Sequence, residues 1–361
     1  MASDHFSTGV TVAVATMNRP LQLARCVDAI LSGERLPAEL VIVDQSADNC
    51  TANLVAAARS DRVPLTYVRQ PCLGLSVSRN SAIACARQPI VAFTDDDCVP
   101  DRRWLAAIVA GFAGIERPDA VTGRILPLGP DRPGFHAMST LTRCVRAVHR
   151  GRFLPWRVGS GANTAVRRDW LERLGGFDER LGAGSAGRSA EDVDLLYRLL
   201  RAGATIRYEP DAIVSHERTD AAERRATSLR YGFGLGVFCG LSARRRDVYA
   251  MWMLGGWCAD RGRALAGACV GRRWWRVTEE LLMLCGATRG IVYGLTSASS
   301  RELRDGDSEV AASHGLRPCY SSGARDWLPV SSCALRARRT AMRTWQRLLN
   351  RRLGRPSGPA R

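Results

Sequence analysis

The chain has 361 residues and a hydrophobic content of 46%, as expected of a globular protein with one large domain and an appended segment rather than of a disordered chain. Its net charge of +17 is uneven, because residues 1–217 carry 26 arginines against 24 acidic residues, whereas residues 218–361 carry 26 against 11. The basic excess therefore belongs to the C-terminal third. It indicates an anionic partner surface there, either membrane or nucleic acid.

Twelve cysteines are scattered along the chain, with no CxxC pair and no zinc-ligand spacing. The first seven residues lack the basic and apolar segments of a secretion signal. We therefore expect a cytoplasmic protein, with peripheral association at the inner face of the cell membrane as an open alternative. Several cysteines have apolar neighbours, and we expect these to be small buried residues in a reducing cytosol: Cys26, Cys85, Cys239, Cys258, Cys269 and Cys285.

The first half of the chain alternates apolar β-branched runs with helix-period segments. We predict strands at residues 10–16, 40–44, 65–68 and 90–93. One helix is predicted to end at Ser32, and three more to span residues 49–58, 76–87 and 101–112. Repeated strand–helix units imply a mostly parallel, doubly wound α/β sheet. Ligands bind at the carboxyl ends of the strands in such sheets, and this is where Asp44 and the cluster Asp95–Asp97 lie.

The pattern changes beyond Asp119. Residues 121–126 are predicted to form a strand, and residues 140–165 are irregular. A short helix at residues 168–174, stopped by two glycines, precedes a glycine-rich loop at residues 182–189. A strong helix at residues 191–202 follows, then strands around Ile206 and Ile213.

The C-terminal third contains apolar stretches at residues 248–259 and 281–297, preceded by glycines at positions 232, 236 and 240. None is an uninterrupted apolar span of about 18 residues. Two interpretations remain open: a helical subdomain packed on the core, or helices that lie in a membrane interface.

The last segment is polar at residues 301–332 and then amphipathic. Apolar and basic side chains fall on opposite helical faces, with Leu335, Met342, Trp345 and Leu349 on one and Arg336, Arg339, Arg343 and Arg347 on the other. Such a helix suits an anionic membrane surface, and a solvated basic tail is the alternative. We divide the chain into a catalytic domain (8–218), a helical, membrane-associated candidate region (219–300) and a polar linker with a basic tail (301–361).

Three adjacent carboxylates, Asp95, Asp96 and Asp97, follow the fourth predicted strand. Such groups repel one another, and a hard divalent cation with oxygen ligands relieves that repulsion. The alternative is a solvated acidic turn in which Asp97 and Asp101 cap the next helix.

Seven segments occur in an order and spacing typical of one enzyme family. They are TVAVATMNRP, LVIVDQS, GLSVSRNSAIACA, IVAFTDDDCVP, GSGANTAVRRDWLERLGGFDE, AEDVDLLYRLLRAG and YEPDAIVSHE. Together they resemble a family-2 glycosyltransferase of the GT-A fold, over roughly residues 8–218. We therefore expect a GT-A, Rossmann-like sheet with an α-helical C-terminal extension.

The resemblance implies a metal site for Mn²⁺ or Mg²⁺. Asp97 would bind the ion directly, Asp95 would contact the ribose or a metal-bound water, and His216 would be a third ligand. A structural role is the alternative for a lone histidine. Metal coordination would offset the charge that develops on a diphosphate leaving group.

The resemblance also implies a site for a nucleotide-diphospho-sugar, with a UDP-sugar as the expected donor. Alternatives from the residues themselves are a strand-end cap for Asp44 and a helix-surface arginine for Arg79. The residues expected to contact the donor are Thr16, Asn18, Arg19, Asp44, Arg79, Asn80, Asp95, Asp96 and Asn163.

Glu191 and Asp192 open the helix after the glycine-rich loop and resemble the family's E-D pair, in which the aspartate deprotonates the acceptor hydroxyl. One base opposite one metal describes a single displacement, with inversion at the anomeric carbon. The alternative is that both acids complement the helix N-terminus.

We therefore expect an inverting glycosyltransferase that acts on a glycan, glycolipid or small-molecule acceptor, in cell-envelope glycan or glycolipid synthesis. A Q-x-x-R-W segment is missing after the base helix. That absence favours the addition of one or a few sugars over processive synthesis. Rival interpretations are a catalytically degenerate nucleotide-sugar- or membrane-binding protein of the same fold and a sugar-phosphate nucleotidyltransferase, whose lysine-bearing phosphate loop the chain lacks. Nonspecific phosphate attraction by the tail is a third, and no specific nucleic acid partner is expected.

Overall fold

A mixed sheet forms the centre of the computed structural model, which describes residues 9–58 and 62–297. The strands of these residues are β1 (Val10–Thr16), β2 (Glu39–Asp44), β3 (Leu65–Arg69), β4 (Ile90–Asp95), β5 (Cys98–Pro100), β6 (Ala120–Pro127), β7 (Phe135–His136), β8 (Ala147–His149), β9 (Thr164–Arg167), β10 (Ile206–His216) and β11 (Thr219–Asp220). The helices are α1 (Pro20–Leu31), α2 (Cys50–Ala58), α3 (Leu75–Cys85), α4 (Trp104–Phe112), α5 (Pro155–Val158), α6 (Arg168–Leu174), α7 (Glu191–Arg201), α8 (Ala221–Arg244), α9 (Val248–Val270) and α10 (Trp274–Thr296).

The main sheet has the order β3-β2-β1-β4-β9-β6-β10-β5, and β8 also pairs with β10. The first four strands of this order are mutually parallel, as is the pair β6 and β10, whereas β9, β5 and β8 run antiparallel to their neighbours. Strands β7 and β11 form a separate two-stranded sheet. The predicted doubly wound α/β class is confirmed.

Alternate residues of the central strands face two different apolar layers. Val12 and Val14 of β1 pack in one layer with α1 and α4, whereas Ala13 packs in the other with α6 and α7. Strands buried on both faces appear in the sequence as continuous apolar runs, which is why these strands are visible there.

Element boundaries differ from the predicted ones where the chain bends. The predicted strands around Ile206 and Ile213 are one strand, β10, with a register shift against β6 between Glu209 and Ile213. The stretch predicted to be irregular contains β8, α5 and the start of β9. Helix α4 begins at Trp104, and Asp101 accepts a hydrogen bond from the backbone N–H of Arg103 in the preceding turn.

Helices α8 and α10 approach each other through glycines. Glycines 232, 236 and 240 of α8 face a matching series at 286, 290 and 294 of α10, and a Cβ at any of them would lie within 3 Å of the facing backbone. The glycine series noticed in the sequence is therefore a helix-packing surface. The helices belong to the same compact unit as the sheet, and the predicted boundary at residue 218 remains a prediction.

Replacing Gly290 by Ala is expected to lower the free energy of unfolding by about 1–3 kcal/mol, because the new Cβ would sit 2.0 Å from the carbonyl oxygen of Phe233. Gly262→Ala in α9 is the matched control, since nothing lies within 4 Å of its added Cβ, and it should gain up to about 1 kcal/mol of helix propensity. Denaturant unfolding measures both. Equal stabilisation by the two substitutions would contradict the close α8–α10 packing.

The cysteines do not all lie in the core. Cys26 and Cys239 are buried as expected, but Cys258, Cys269 and Cys285 are exposed, so the prediction is wrong for these three. Apolar sequence neighbours do not bury them because α9 and α10 turn these positions outward. Among the helices of residues 9–58 and 62–297, none is both long and apolar enough to cross a membrane. The predicted amphipathic tail lies outside the described residues.

Candidate active site

The carboxyl ends of neighbouring strands bring most of the predicted site together. Thr16 pairs in register with Asp44, and Ala15 pairs with Asp95, so β1, β2 and β4 end at the same edge. His216 ends β10 at that edge, where the antiparallel strand β5 places Cys98 directly opposite it. The acidic cluster and the histidine therefore lie close together in space. Along the chain, Asp97 and His216 are 119 positions apart.

Four side chains can each direct one ligand atom to a common centre. The ligand atoms of Asp95, Asp97, Cys98 and His216 lie within 4.8 Å of one another. Asp97 Oδ1 is buried without a hydrogen-bond partner among the described residues. A buried carboxylate oxygen that lacks a hydrogen-bond partner, in a group of possible metal ligands, fits a site for a divalent cation.

The histidine tautomer supports the same assignment. His216 Nδ1 lies 2.9 Å from the carbonyl oxygen of Glu217, which can only accept, so Nδ1 carries the proton. The lone pair of a neutral ring is then on Nε2, 3.5 Å from Asp97 Oδ1. Two acceptor atoms face each other there, and a shared cation would satisfy both.

Asp96 points away from this centre and into the protein. Its carboxylate accepts hydrogen bonds from Thr16 Oγ1 at 2.8 Å and from Arg19 at 3.3 Å, and Arg19 also contacts Asp97 Oδ2 at 3.0 Å. Burial, reinforced by the charge of Asp97, raises the pKa of Asp96 to about 7 although Arg19 and Thr16 oppose the shift. Asp96 thus anchors the turn, and the half-exposed Arg19 lies at its rim.

Arg79 connects the acidic cluster to the helix that carries the predicted base. Its guanidinium donates to Asp95 Oδ1 and to Glu191 Oε1, each at 2.8 Å. The residue is 4% exposed, so the alternative of a helix-surface arginine is wrong. A Cβ on Gly161 would lie 3.0 Å from both terminal nitrogens, which explains the need for glycine at that position.

Glu191 and Asp192 occupy different environments at the start of α7. Glu191 is buried, and this burial, followed by the charge of Asp192, raises its pKa to about 7 against the opposing effect of Arg79. Asp192 is half-buried, and its two oxygens accept hydrogen bonds from the backbone N–H groups of Gly161 and Val193, each at 2.8 Å. Both acids lie in the first turn, so they also complement the helix dipole. The half-buried carboxylate is the one that an acceptor could approach.

Asn18 and Asp44 shape the loops beside the strand ends. Asn18 has a positive φ of 56° and holds the loop after β2 through Ser46 and Ala47. Asp44 is fully buried, and its oxygens accept from the Ser46 N–H at 2.8 Å and the Tyr67 hydroxyl at 2.7 Å. Asp44 therefore makes the contacts expected of a strand-end cap, and its contact with the nucleotide stays a prediction.

Asn80 and Asn163 lie outside the acidic cluster, and their contact with the donor stays a prediction. Asn80 binds the loop after α6 through the backbone of Phe177 and the side chain of Glu179. Asn163 is buried, accepts from the Trp104 indole at 2.9 Å and donates to two backbone carbonyls. Both of its amide hydrogens are thus engaged, and its side-chain oxygen accepts one hydrogen bond.

Two features of the site were missed in the sequence. Cys98 joins the donor set, and its position directly after the three aspartates could have signalled this; burial and the nearby Asp95 and Asp97 raise the pKa of its thiol well above the usual value. Tyr231 of α8 shares a hydrogen bond of 2.7 Å with Ser139. Desolvation of its hydroxyl, together with the negative charges of Asp192, Glu191 and Asp95, raises the pKa of Tyr231. No motif pointed to Tyr231, because only the folded structure brings α8 near Asp192, Glu191 and Asp95.

Two curated sequence relatives are glycan-synthesis proteins by their names. The chain is 30% identical over 252 residues to the pre-mycofactocin glycosyltransferase of Mycobacterium tuberculosis, covering 68% of this chain and 50% of that protein. It is 29% identical over 217 residues to the succinoglycan biosynthesis protein ExoM of Rhizobium meliloti, covering 58% of this chain and 66% of ExoM. The chain thus spans about half the length of the mycobacterial relative.

Solved structures share the fold. The mannosyltransferase PcManGT of Pyrobaculum calidifontis, solved with GDP-Man and Mn²⁺, matches with a TM-score of 0.53 at 21% identity, over 78% of this chain and 86% of that one. TarS of S. aureus matches with a TM-score of 0.51 at 18% identity, over 68% and 42%. The family model "Glycosyltransferase like family 2" matches residues 8–230, which is more than half of the chain. This chain therefore belongs to the family-2 glycosyltransferases, with the GT-A fold.

Proposed function

We propose that this protein transfers a sugar from a nucleotide-diphospho-sugar to an acceptor hydroxyl, with inversion at the anomeric carbon. The observation that carries the proposal is the buried guanidinium of Arg79, which holds Asp95 of the acidic cluster and Glu191 of the base helix 2.8 Å from its nitrogens. Donor-side and acceptor-side groups are thereby fixed next to each other, as a direct displacement requires.

The donor side would be built on a divalent cation, Mn²⁺ or Mg²⁺. Asp95, Asp97 and His216 would hold it, with Cys98 beside them. When bound, the cation would neutralise the charge that develops on the diphosphate leaving group. Arg19 would bind the same diphosphate, since its half-exposed guanidinium lies beside the acidic cluster and its geometry suits a phosphate.

The acceptor side would depend on Asp192 as general base. The backbone N–H groups of Gly161 and Val193 orient its carboxylate. The acceptor hydroxyl would pass its proton to Asp192 as its oxygen attacks the anomeric carbon. Glu191 would position the site, because its carboxylate is buried against Arg79.

The sequence and the names of the relatives indicate the donor and acceptor classes. A UDP-sugar is our expected donor, and the GDP-Man bound by PcManGT makes a GDP-sugar the nearest alternative. The relatives act in succinoglycan biosynthesis and on a mycofactocin precursor, by their names. We propose a glycan, glycolipid or small-molecule acceptor in cell-envelope or cofactor glycan synthesis.

A thermal-shift panel of UDP-, GDP-, dTDP- and CDP-sugars, each with and without Mn²⁺, tests the donor site. One donor should raise the Tm by several degrees only with metal, since a ligand at about 100 times its Kd adds about 2.7 kcal/mol. Asp97→Ala should abolish this response by removing a metal ligand.

Asp101→Ala is the matched control, because Asp101 is exposed and belongs to the turn before α4. It should keep the full metal-dependent response. A donor response that survives in Asp97→Ala, or no response to any donor, would overturn the proposed site. Stabilisation without any release of nucleoside diphosphate would instead favour a degenerate, binding-only protein.

A further inference from the structure

Helix α9 is apolar around its circumference but is covered on one side only. Its inward residues, among them Ala250, Met253 and Trp257, are buried. Its outward face, defined by Met251, Trp252, Ala259, Ala266, Cys269 and Val270, is exposed, and Val270 is 87% exposed. A helix that is apolar all round is normally buried all round, so this face lacks a partner among the described residues.

The outward face is long and almost free of charge. The 23 residues of α9 extend for about 34 Å. Arg263 is the one charged residue on the exposed face of α9, and no acidic side chain lies there. Asp260, the helix's single carboxylate, accepts hydrogen bonds from Trp156 and Arg157 and also pairs with Arg263.

Exposed arginines and tryptophans lie at both ends of this face. Arg245 and Arg246 precede α9, next to the half-exposed Trp252. Arg272 and Arg273 follow α9, and they form no ion pair within residues 9–58 and 62–297. The adjacent Trp274 is 67% exposed. Tryptophan and arginine beside an apolar helix face are typical of helices that lie in a membrane interface.

The charge around α9 is strongly one-sided. Residues 221–297 carry 12 arginines and 5 acidic residues. Each of these carboxylates is already engaged by a side chain: Glu223 by Arg230, Asp247 by Tyr197, Asp260 by Arg157, Glu279 by Arg224 and Glu280 by Arg261. The free charge beside the outward face is therefore positive.

Charge complementarity decides between the possible partners of this face. If the α9 helix of a second copy packed on this face, arginines would lie opposite arginines at both helix ends. This holds whether the two helices run parallel or antiparallel. Residues 298–361 carry 13 arginines against 5 acidic residues, so they are not complementary either. We infer that the outward face of α9 binds an anionic lipid bilayer, with the helix lying in the plane of the interface. This inference does not depend on catalysis.

The test is co-sedimentation of the full chain with vesicles of phosphatidylcholine alone and of phosphatidylcholine with 30% phosphatidylglycerol, a composition of about one anionic lipid in three. We expect binding to the anionic vesicles, weakened by salt, and a blue shift of tryptophan emission. The double substitution Ala259→Glu with Ala266→Glu should weaken that binding at least about tenfold, because it places two carboxylates on the outward face. Both positions are exposed and helical, so folding should be preserved.

The matched control is Ala56→Glu with Ala110→Glu, at exposed helical alanines of α2 and α4. It changes the net charge equally and leaves any contribution of the basic tail unchanged, so it should bind like the wild type. Equal binding by both double variants would overturn the inference, as would a wild type that binds neither vesicle. A self-association that only the α9 variant loses, with unchanged vesicle binding, would overturn it in favour of a second copy.

Discussion

Replacing Asp192 by Asn is expected to lower the rate of sugar transfer by about 10²–10⁴-fold, the usual contribution of a general base. The amide keeps the size of the side chain and can still accept from Gly161 N–H through its oxygen, but it cannot take the acceptor proton. Metal-dependent donor binding should remain, because Asp192 lies on the acceptor side. Initial rates and thermal shifts with the donor found in the panel measure the two effects separately.

Asp169→Asn is the matched control for this substitution. Asp169 also lies in the first turn of a helix, α6, but its exposed side chain pairs with Arg173 away from the cluster. It should leave the transfer rate unchanged. If Asp192→Asn transferred sugar at the wild-type rate, the acid would only complement the N-terminus of α7, which is the alternative that the sequence left open.

Replacing Arg79 by Met is expected to lower the free energy of unfolding by about 3–5 kcal/mol in the presence of a chelator. The substitution removes the cation that pairs with the buried Glu191 and with Asp95, and breaking a buried ion pair by removing one partner is strongly destabilising. Sugar transfer should also fall, because Asp95 and the start of α7 lose the group that holds them together. Denaturant unfolding gives the stability change.

Two further variants make this result interpretable. Arg173→Met removes an exposed pair and should cost about 1 kcal/mol or less. Adding Glu191→Gln to Arg79→Met should restore part of the lost stability, because a neutral amide tolerates burial better than a carboxylate. A loss in Arg79→Met no larger than in Arg173→Met would show that the guanidinium does not compensate buried charge.

The sequence by itself determined the α/β class, the family resemblance and the positions of the main strands along the chain. Its central strands are buried on both faces, so they appear in the sequence as nearly continuous apolar runs, and the rule that ligands bind at strand ends then placed Asp44 and Asp95–Asp97 near one edge. It could also place His216 at the end of a strand. These inferences succeed because they depend on short-range patterns and on the topology of parallel sheets.

Only the tertiary structure decided which polar side chains remain available. Asp44, Asn80 and Asn163 stand in motif positions, and their side chains already bind Tyr67, Phe177 and Trp104, partners that are distant in sequence. A motif records a position, whereas hydrogen-bond saturation depends on the whole neighbourhood in space.

The same distinction holds for Arg79 and for α9. Whether Arg79 is a surface group or a buried bridge depends on Asp95 and Glu191, which lie 16 and 112 positions away. Helix α9 is mostly apolar in sequence, and its composition does not say which face is covered. Burial is a property of the packed neighbours, so these two features became visible only when α3, α7 and the C-terminal helices were assembled around the sheet.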